Sequence, residues 1–300
     1  MSAFTEAPPE DVDSLLTPAG SGLRRYLLVR FLLIFPTVFI LVTTVFVLMR
    51  TTGDPITASL GGRLPPDQLA ERIEAAGYDR PLVVQYLDYL GDLLRRDFGT
   101  TVSDNRPVLE VLTTYGAATL ELTCYALLVA FVVGIPFGRI AAFRRDRLPD
   151  AVLRTGAILA YATPVFFSGL LLKLIFSVWL GWLPVAGRAS TGAEIAMQTQ
   201  GNGSSFYLFA ALSTGDPDVV RDVLQHAVLP ALALGMLTAG VFLRLVRTNV
   251  IGTFGAGYIE AARSRGVSER RLLKVHAFRP ALIPIITVIG LQIALLLGIG

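Results

Sequence analysis

The chain is poor in the side chains that usually carry out chemistry. Its single cysteine, Cys124, permits no disulfide framework and no thiolate metal cluster. Lys173 and Lys274 are the only lysines, and neither closes a Gly-x-x-x-x-Gly-Lys-[Ser/Thr] phosphate loop, so the chain is not expected to hydrolyse ATP by itself. His226 and His276 are the only histidines, and the sequence has no His-Glu-x-x-His, no Gly-x-Ser-x-Gly and no pair of intramembrane aspartates. These gaps argue against an enzyme and against a resident metal. Charge is scarce too: Asp, Glu, Lys and Arg make up 16% of the 300 residues, where soluble domains average about 25%.

Apolar sequence takes their place. The composition is 53% hydrophobic with a mean hydropathy of +0.60, which assigns the chain to a bilayer. A hydrocarbon core about 30 Å thick takes roughly 20 helical residues at about 1.5 Å each. Five windows are long enough: 31–49, 119–138, 157–179, 227–246 and 281–300. Every backbone N–H and C=O in lipid needs an internal partner, so these windows read as helices, and the lack of short alternating segments argues against a β-barrel. The expected fold class is an all-α, polytopic membrane protein with five transmembrane helices. Pro36, Pro136, Pro164, Pro230 and Pro284 fall within or at the ends of the windows and are expected to kink them.

Orientation follows from the arginines, because Lys and Arg in short connections are retained on the cytoplasmic side. Arg24, Arg25 and Arg30 precede the first window; Arg139, Arg144, Arg145 and Arg147 follow the second; Arg244, Arg247, Arg263, Arg265, Arg270, Arg271, Lys274 and Arg279 follow the fourth. All three sets fall on one side, which makes the N-terminus cytoplasmic. Segment 51–115, where acidic residues outweigh the arginines, and the sparsely charged segment 184–226 then lie outside. The net charge of +3 and the pI near 9.2 follow from this topology and call for no nucleic acid.

Residues 1–22 are acidic and proline-containing and read as a disordered cytoplasmic tail with no cleavable signal. Outside, Gly53-Asp54-Pro55 reads as a turn and Pro65-Pro66-Asp67 as the start of a helix over 68–76. Residues 81–96 set Leu82, Tyr86, Tyr89, Leu90 and Leu93 on one stripe, an amphipathic helix lying on the membrane surface or against the bundle. In the second outer segment, residues 201–205 read as a flexible run ahead of an apolar stretch, 206–212, that dips into the interface.

A charge at the bilayer centre costs about 2.5–3.5 kcal/mol on insertion scales, so ionisable groups there mark function. Glu121 and Arg244 fall near window ends. Lys173 lies deeper, either snorkelling to the outer interface or lining a solute pathway. No internal repeat and no buried acid–base relay supports a self-contained carrier, so any driving force must reach the chain from outside.

One connection is far longer than a hairpin needs. Residues 247–280 carry a short helix over 257–265, a stop at Gly266 whose freedom at positive φ suits a helix end, and a second helix from Ser268 with 269–274 as its body. Small Ala261 and Ala262 would let this elbow seat in a groove, with Glu260 reaching a basic or amide partner. The plainer reading is a pair of solvated surface helices.

Glu260-Ala261-Ala262-x3-Gly266 resembles the EAA motif of ABC importer permeases, and its position before the last window matches. Gly53-Asp54-Pro55, Arg80-Pro81-Leu82, Asp97-Phe98-Gly99, Gly134-Ile135-Pro136-Phe137-Gly138, Thr163-Pro164, Gly181-Trp182-Leu183-Pro184, His226 with Leu229-Pro230, and Ala281-Leu282-Ile283-Pro284 resemble the first permease subunit of dipeptide, oligopeptide and nickel importers. The resemblance implies the type I permease fold, with 23–50 as the first transmembrane helix, 51–115 as an external segment and 116–300 as the permease core holding transmembrane helices 2–5 and the EAA loop 247–280. It also implies that Glu260, Ala261, Ala262 and Gly266 seat in a cytoplasmic ATPase. The partners implied are a second, similar permease, two ATPase subunits that hold ATP and Mg, and an external solute-binding protein; the chain itself carries no cofactor. Nickel chelates remain an alternative cargo, and an ATPase-independent carrier or a non-transporting scaffold remain alternative roles. Two departures from the family pattern stand out: Pro280 replaces the customary Asn, and the chain stops at Gly300 where the family continues into a sixth span, which suggests a truncated sequence.

Overall fold

A computed structural model describes residues 20–51, 53, 56–57, 62, 64–75, 77–101 and 104–299. Most of the tail expected over 1–22, and the turn at Asp54-Pro55, lie outside these residues. The fold comprises two compact units that divide between Val108 and Leu109.

In the first unit, helices α1 (Gly20–Leu32) and α2 (Ile34–Thr51) together form a 28-residue apolar span, Arg24–Thr51, with a mean hydropathy of 2.7. The break at Leu33 has a cause in Pro36, which lacks the N–H that would bond Leu32 and crowds that carbonyl. Thr43 and Thr44 donate their hydroxyls back to Phe39 and Ile40, so these polar groups are satisfied within their own helix. Helix α3 (Pro66–Ala75) opens on its proline. Helix α4 (Leu82–Leu94) is the expected amphipathic element, and it packs on α2: Phe46 lies 5.1 Å from Tyr86 and 5.6 Å from Tyr89, ring centre to ring centre. Buried Gln85 donates to the carbonyls of Tyr78 and Arg80 and thereby fixes the turn leading into α4.

The second unit is organised by two long helices, α5 (Val108–Phe143) and α10 (Pro217–Phe254). Ala126, Ala130, Gly134, Gly138 and Ala142 recur every four residues along α5, and all are buried. A Cβ on Gly134 would stand 2.8 Å from the Ala239 carbonyl oxygen, one on Gly138 2.7 Å from Val246 Cβ, and one on Gly235 2.6 Å from Val129 Cβ. This is the close approach that small residues permit between membrane helices. The touching positions rise together in both helices, so α5 and α10 run parallel, and the chain must cross back between them.

That return crossing corrects one expectation. Window 157–179 is not a single helix: α6 (Leu148–Ala162) and α7 (Val165–Lys173, continued by a wider π-helical turn over Leu174–Trp179) meet at 103°. Pro164 drives the bend, because it cannot donate into a ladder and it holds Thr163 in extended conformation at φ −80° and ψ 126°. Pro136 and Pro230, by contrast, lie inside continuous helices.

Between α7 and α10, helices α8 (Thr191–Thr199) and α9 (Tyr207–Thr214) form a small cluster with the start of α10 around Ala193, Met197, Ala211 and Val223. The run expected to be flexible is tied down instead: Asn202 N–H donates to Ser213 Oγ at 2.9 Å, and Ser204 N–H to Asn202 Oδ1 at 3.1 Å. Asp216 caps α10 by accepting from Asp218 N–H, with Pro217 in the first turn. Beyond α10 come α11 (Gly257–Ser264), α12 (Glu269–Arg271), a π-helical turn over Leu272–Ala277, α13 (Phe278–Ala281) and α14 (Ile283–Ile299). Among the described residues four helices are long and apolar enough to span a membrane, or five if the bent α6–α7 pair is counted as one span.

Candidate functional site

The connection between α10 and α14 folds as the expected elbow. Helix α11 ends at Ser264, Gly266 adopts φ +78°, and α12 begins at Glu269. The Gly266 N–H bonds the Arg263 carbonyl at 2.9 Å, closing the turn. Ser268 precedes α12 as expected but makes no side-chain cap bond. Arg263 reaches across the turn to Glu269, 2.7 Å between Nε and Oε1. The hydrogen bond from Arg263 and the charge of the same guanidinium hold the Glu269 carboxyl below the usual glutamate range.

The elbow has an inside and an outside. Ile259 and Leu272 are fully buried in one cluster with Phe242, Val246 and Val250 of α10, and Ala262 packs on the same cluster one turn after Ile259. Glu260, Ala261 and Gly266 are exposed. Of the two alanines, therefore, only Ala261 faces away from the protein. At the far end of the elbow, the Arg139 guanidinium of α5 stacks 4.5 Å from the Phe278 ring. The exposed face, Glu260-Ala261 with the Gly266 turn, is thus held on a rigid base of buried side chains.

Lys173 lies apart from this group. It lines a cavity of about 520 Å3 with Phe166 and Gly169 of α7, Pro184 and Gly187 of the following connection, and His226 and Pro230 of α10. His226 and Pro230 also line a neighbouring cavity of about 310 Å3, whose polar wall is Glu121, Arg188 and Tyr207. The His226 ring is anchored through Nδ1 at 2.8 Å from the Asp222 carbonyl oxygen.

Two charged arrangements, one half-buried and one buried, carry no signal in the sequence. Glu121 is half-buried and accepts from Arg188 Nη2 at 2.8 Å, from the Tyr207 and Leu208 N–H groups at 3.1 and 2.7 Å, and from the Tyr125 hydroxyl at 3.1 Å. It therefore neutralises an arginine and satisfies the unpaired N–H groups at the start of α9. Asp150, 1% exposed, receives a bidentate pair from Arg247, Nε at 2.6 Å and Nη2 at 2.7 Å, and a third bond from the Asp146 N–H. No local pattern announces either arrangement, because the arginine partners lie 67 and 97 residues away.

Comparison with known proteins supplies what geometry alone does not. Residues 134–299 match the family described as binding-protein-dependent transport system inner membrane component. The chain is 37% identical over 268 residues to the di/tripeptide transport system permease protein DppB of Pseudomonas aeruginosa, covering 89% of this chain and 78% of that protein. It is 34% identical to the dipeptide transport system permease protein DppB of Escherichia coli K12, covering 91% and 81%. It is also 34% identical to the glutathione transport system permease protein GsiC of Salmonella typhi, covering 91% and 79%. Permeases of this kind are multi-pass components of the inner membrane and belong to systems with ATPase and binding-protein partners. The matched region runs from the Gly134 ridge through both cavity-lining stretches of α7 and α10 to the elbow and α14, and the chain belongs to this family of ABC importer permeases.

Proposed function

We propose that this chain is the permease subunit of an ATP-driven importer for di- and oligopeptides, and that its elbow receives the motion of the ATPase. Peptide cargo is supported by the names of its relatives, among them di/tripeptide, dipeptide and glutathione permeases. The arginine-rich connections put the N-terminus and the elbow in the cytoplasm. Glu260, Ala261, Ala262 and Gly266 then form the coupling element: Glu260 and Ala261 present an open face to a cleft, Ala262 fastens that face to the core, and Gly266 sets its angle. The chain is non-catalytic and holds no cofactor, ATP and Mg residing on two partner ATPase subunits. A second homologous permease completes the pathway and an external binding protein delivers the solute. Lys173, deep beside His226, faces the route the solute takes.

The observation that carries this reading is the division of the elbow into a buried base at Ile259 and Leu272 and an exposed tip at Glu260 and Ala261. A surface helix pair without a partner has no need of so rigid a base. The test is uptake of a labelled dipeptide into proteoliposomes containing the complete system. Glu260→Lys and Gly266→Pro are expected to abolish accumulation while leaving assembly of the two permeases intact. Wild-type accumulation in both variants refutes the coupling role, and accumulation without ATP refutes the importer itself.

A further inference from the structure

A groove on the other side of α10 is not used by anything described so far. Between α6 and α10 lies a cavity of about 370 Å3 with apolar walls from Ala157, Ile158 and Val241 and with Arg154, Arg244 and Tyr161 at its lining. Gly240 lets the two helices close: a Cβ there would stand 3.0 Å from the Ala157 carbonyl oxygen. The neighbouring Arg247 is spoken for by Asp150. Arg154 and Arg244 are exposed, and among the described residues neither hydrogen-bonds a carboxylate, Arg154 lying only within electrostatic reach of Asp150.

Two guanidinium groups that hydrogen-bond no carboxylate favour an anion beside them, since a charge left without a hydrogen-bonded partner next to hydrocarbon is costly. The walls select the kind of anion. A small inorganic ion would leave the apolar part of the groove empty, whereas a molecule with an anionic head and an apolar tail fills both parts. Ile158, Leu159 and Val152 are exposed along the same helix, as on a surface that meets lipid chains. Basic pockets between transmembrane helices at the side rich in arginine suit acidic lipid headgroups. We propose that the groove between α6 and α10 binds an anionic phospholipid, its phosphate held by Arg154 and Arg244 and an acyl chain laid along Ala157, Ile158 and Val241.

The test uses the full chain purified with its partner subunits in detergent supplied with equal phosphatidylglycerol and phosphatidylethanolamine, with the retained lipids counted by native mass spectrometry. Wild type retains phosphatidylglycerol preferentially. Arg154→Gln and Arg244→Gln each lower that retention about fivefold, and their effects combine. The lysine double variant, Arg154→Lys with Arg244→Lys, keeps the preference, and Arg30→Gln, which removes a cation from α1, leaves it unchanged. Undiminished phosphatidylglycerol in the glutamine double variant overturns the proposal, as does an equal loss in Arg30→Gln. Release of the lipid by saturating dipeptide also overturns it, because the groove would then belong to the solute. An unchanged elution volume for each complex rules out loss of fold as the cause.

Discussion

Ile259→Ala separates the anchoring of the elbow from its exposed face. Ile259 is 0% exposed and belongs to the same buried cluster as Val250 of α10 and Leu272 of the following turn, while Glu260 beside it is exposed. Truncating a buried isoleucine to alanine costs about 2–5 kcal/mol, the spread reflecting how far the site collapses around the cavity. Helix α11 has eight residues, too few to persist as a helix on its own, so its structure depends on this docking. At about 1.4 kcal/mol per factor of ten, the undocked elbow gains population by about thirtyfold to several thousandfold. Hydrogen exchange of amides 257–264 in the assembled transporter reads this directly, and dipeptide uptake and ATP turnover are measured on the same preparation. Exchange should quicken by that order and uptake fall, while the partner ATPase continues to turn over uncoupled from transport. Ile259→Val, which costs about 0.5–1.5 kcal/mol, should lie between wild type and Ile259→Ala in both readings. Unchanged exchange in Ile259→Ala, or a larger effect for valine than for alanine, refutes the anchoring argument.

Gly138→Ala should destabilise the α5–α10 pair by about 1–3 kcal/mol, because its Cβ would lie 2.7 Å from Val246 Cβ and 2.8 Å from the Leu243 carbonyl oxygen; Gly116→Ala, with nothing within 4 Å, should be neutral or stabilising in the same thermal unfolding assay. Asp150→Ala strands the Arg247 guanidinium and should cost about 3–5 kcal/mol of thermal stability, much of which the double change Asp150→Leu with Arg247→Met recovers. The Arg263–Glu269 pair fixes a pH response: Glu269 is held below its ordinary value, so its contribution is complete at neutral pH and is lost as pH falls below about 4.3 and through the lowered folded value. Protection of the Gly266 turn, with exchange referred to the intrinsic rate at each pH, should therefore fall in acid, the effect should shrink in high salt because both side chains are exposed, and Glu269→Gln should abolish it.

The spans were legible because burial in lipid imposes one rule on every residue of a helix, and a run of apolar side chains declares it. The elbow was legible for a local reason as well: Gly266 at positive φ and Ser268 before α12 are stop and start signals only a few residues apart. The bend between α6 and α7 was half legible. Pro164 predicts a kink, yet a proline inside α5 and another inside α10 leave those helices continuous, so the residue alone does not set the angle. What distinguishes Pro164 is Thr163, held extended ahead of it. The Glu121 hub was not legible, since the groups that it joins come from three separate stretches of chain and each looks ordinary alone. The Gly134–Gly138 motif was noticed as a resemblance, and its physical meaning emerges only once Ala239 and Val246 stand against it.

The parallel pairing of α5 and α10 limits how motion can travel. Helix α10 is 38 residues long, about 57 Å at the usual rise, and it carries His226 and Pro230 of the cavities near one end and the anchors of the elbow, Val246 and Val250, near the other. Its contact with α5 sets Gly134, Gly138 and Gly235 directly against Phe242, Val246 and Val129 of the facing helix, with Phe131 on Phe242, and so close an approach favours the two helices moving as one body. On the proposed coupling, a push at Glu260 enters this body through Ile259 and reaches the cavity by rotation of the whole pair. Two places can yield in response. One is the Thr163-Pro164 bend, where backbone hydrogen bonding is already interrupted. The other is the α8–α9 segment, which Glu121 of α5 grips through Arg188 and the first turn of α9. Because Glu121 belongs to the α5–α10 pair while Arg188 belongs to the segment lining the cavity, on the proposed coupling a rotation of the pair strains this ion pair.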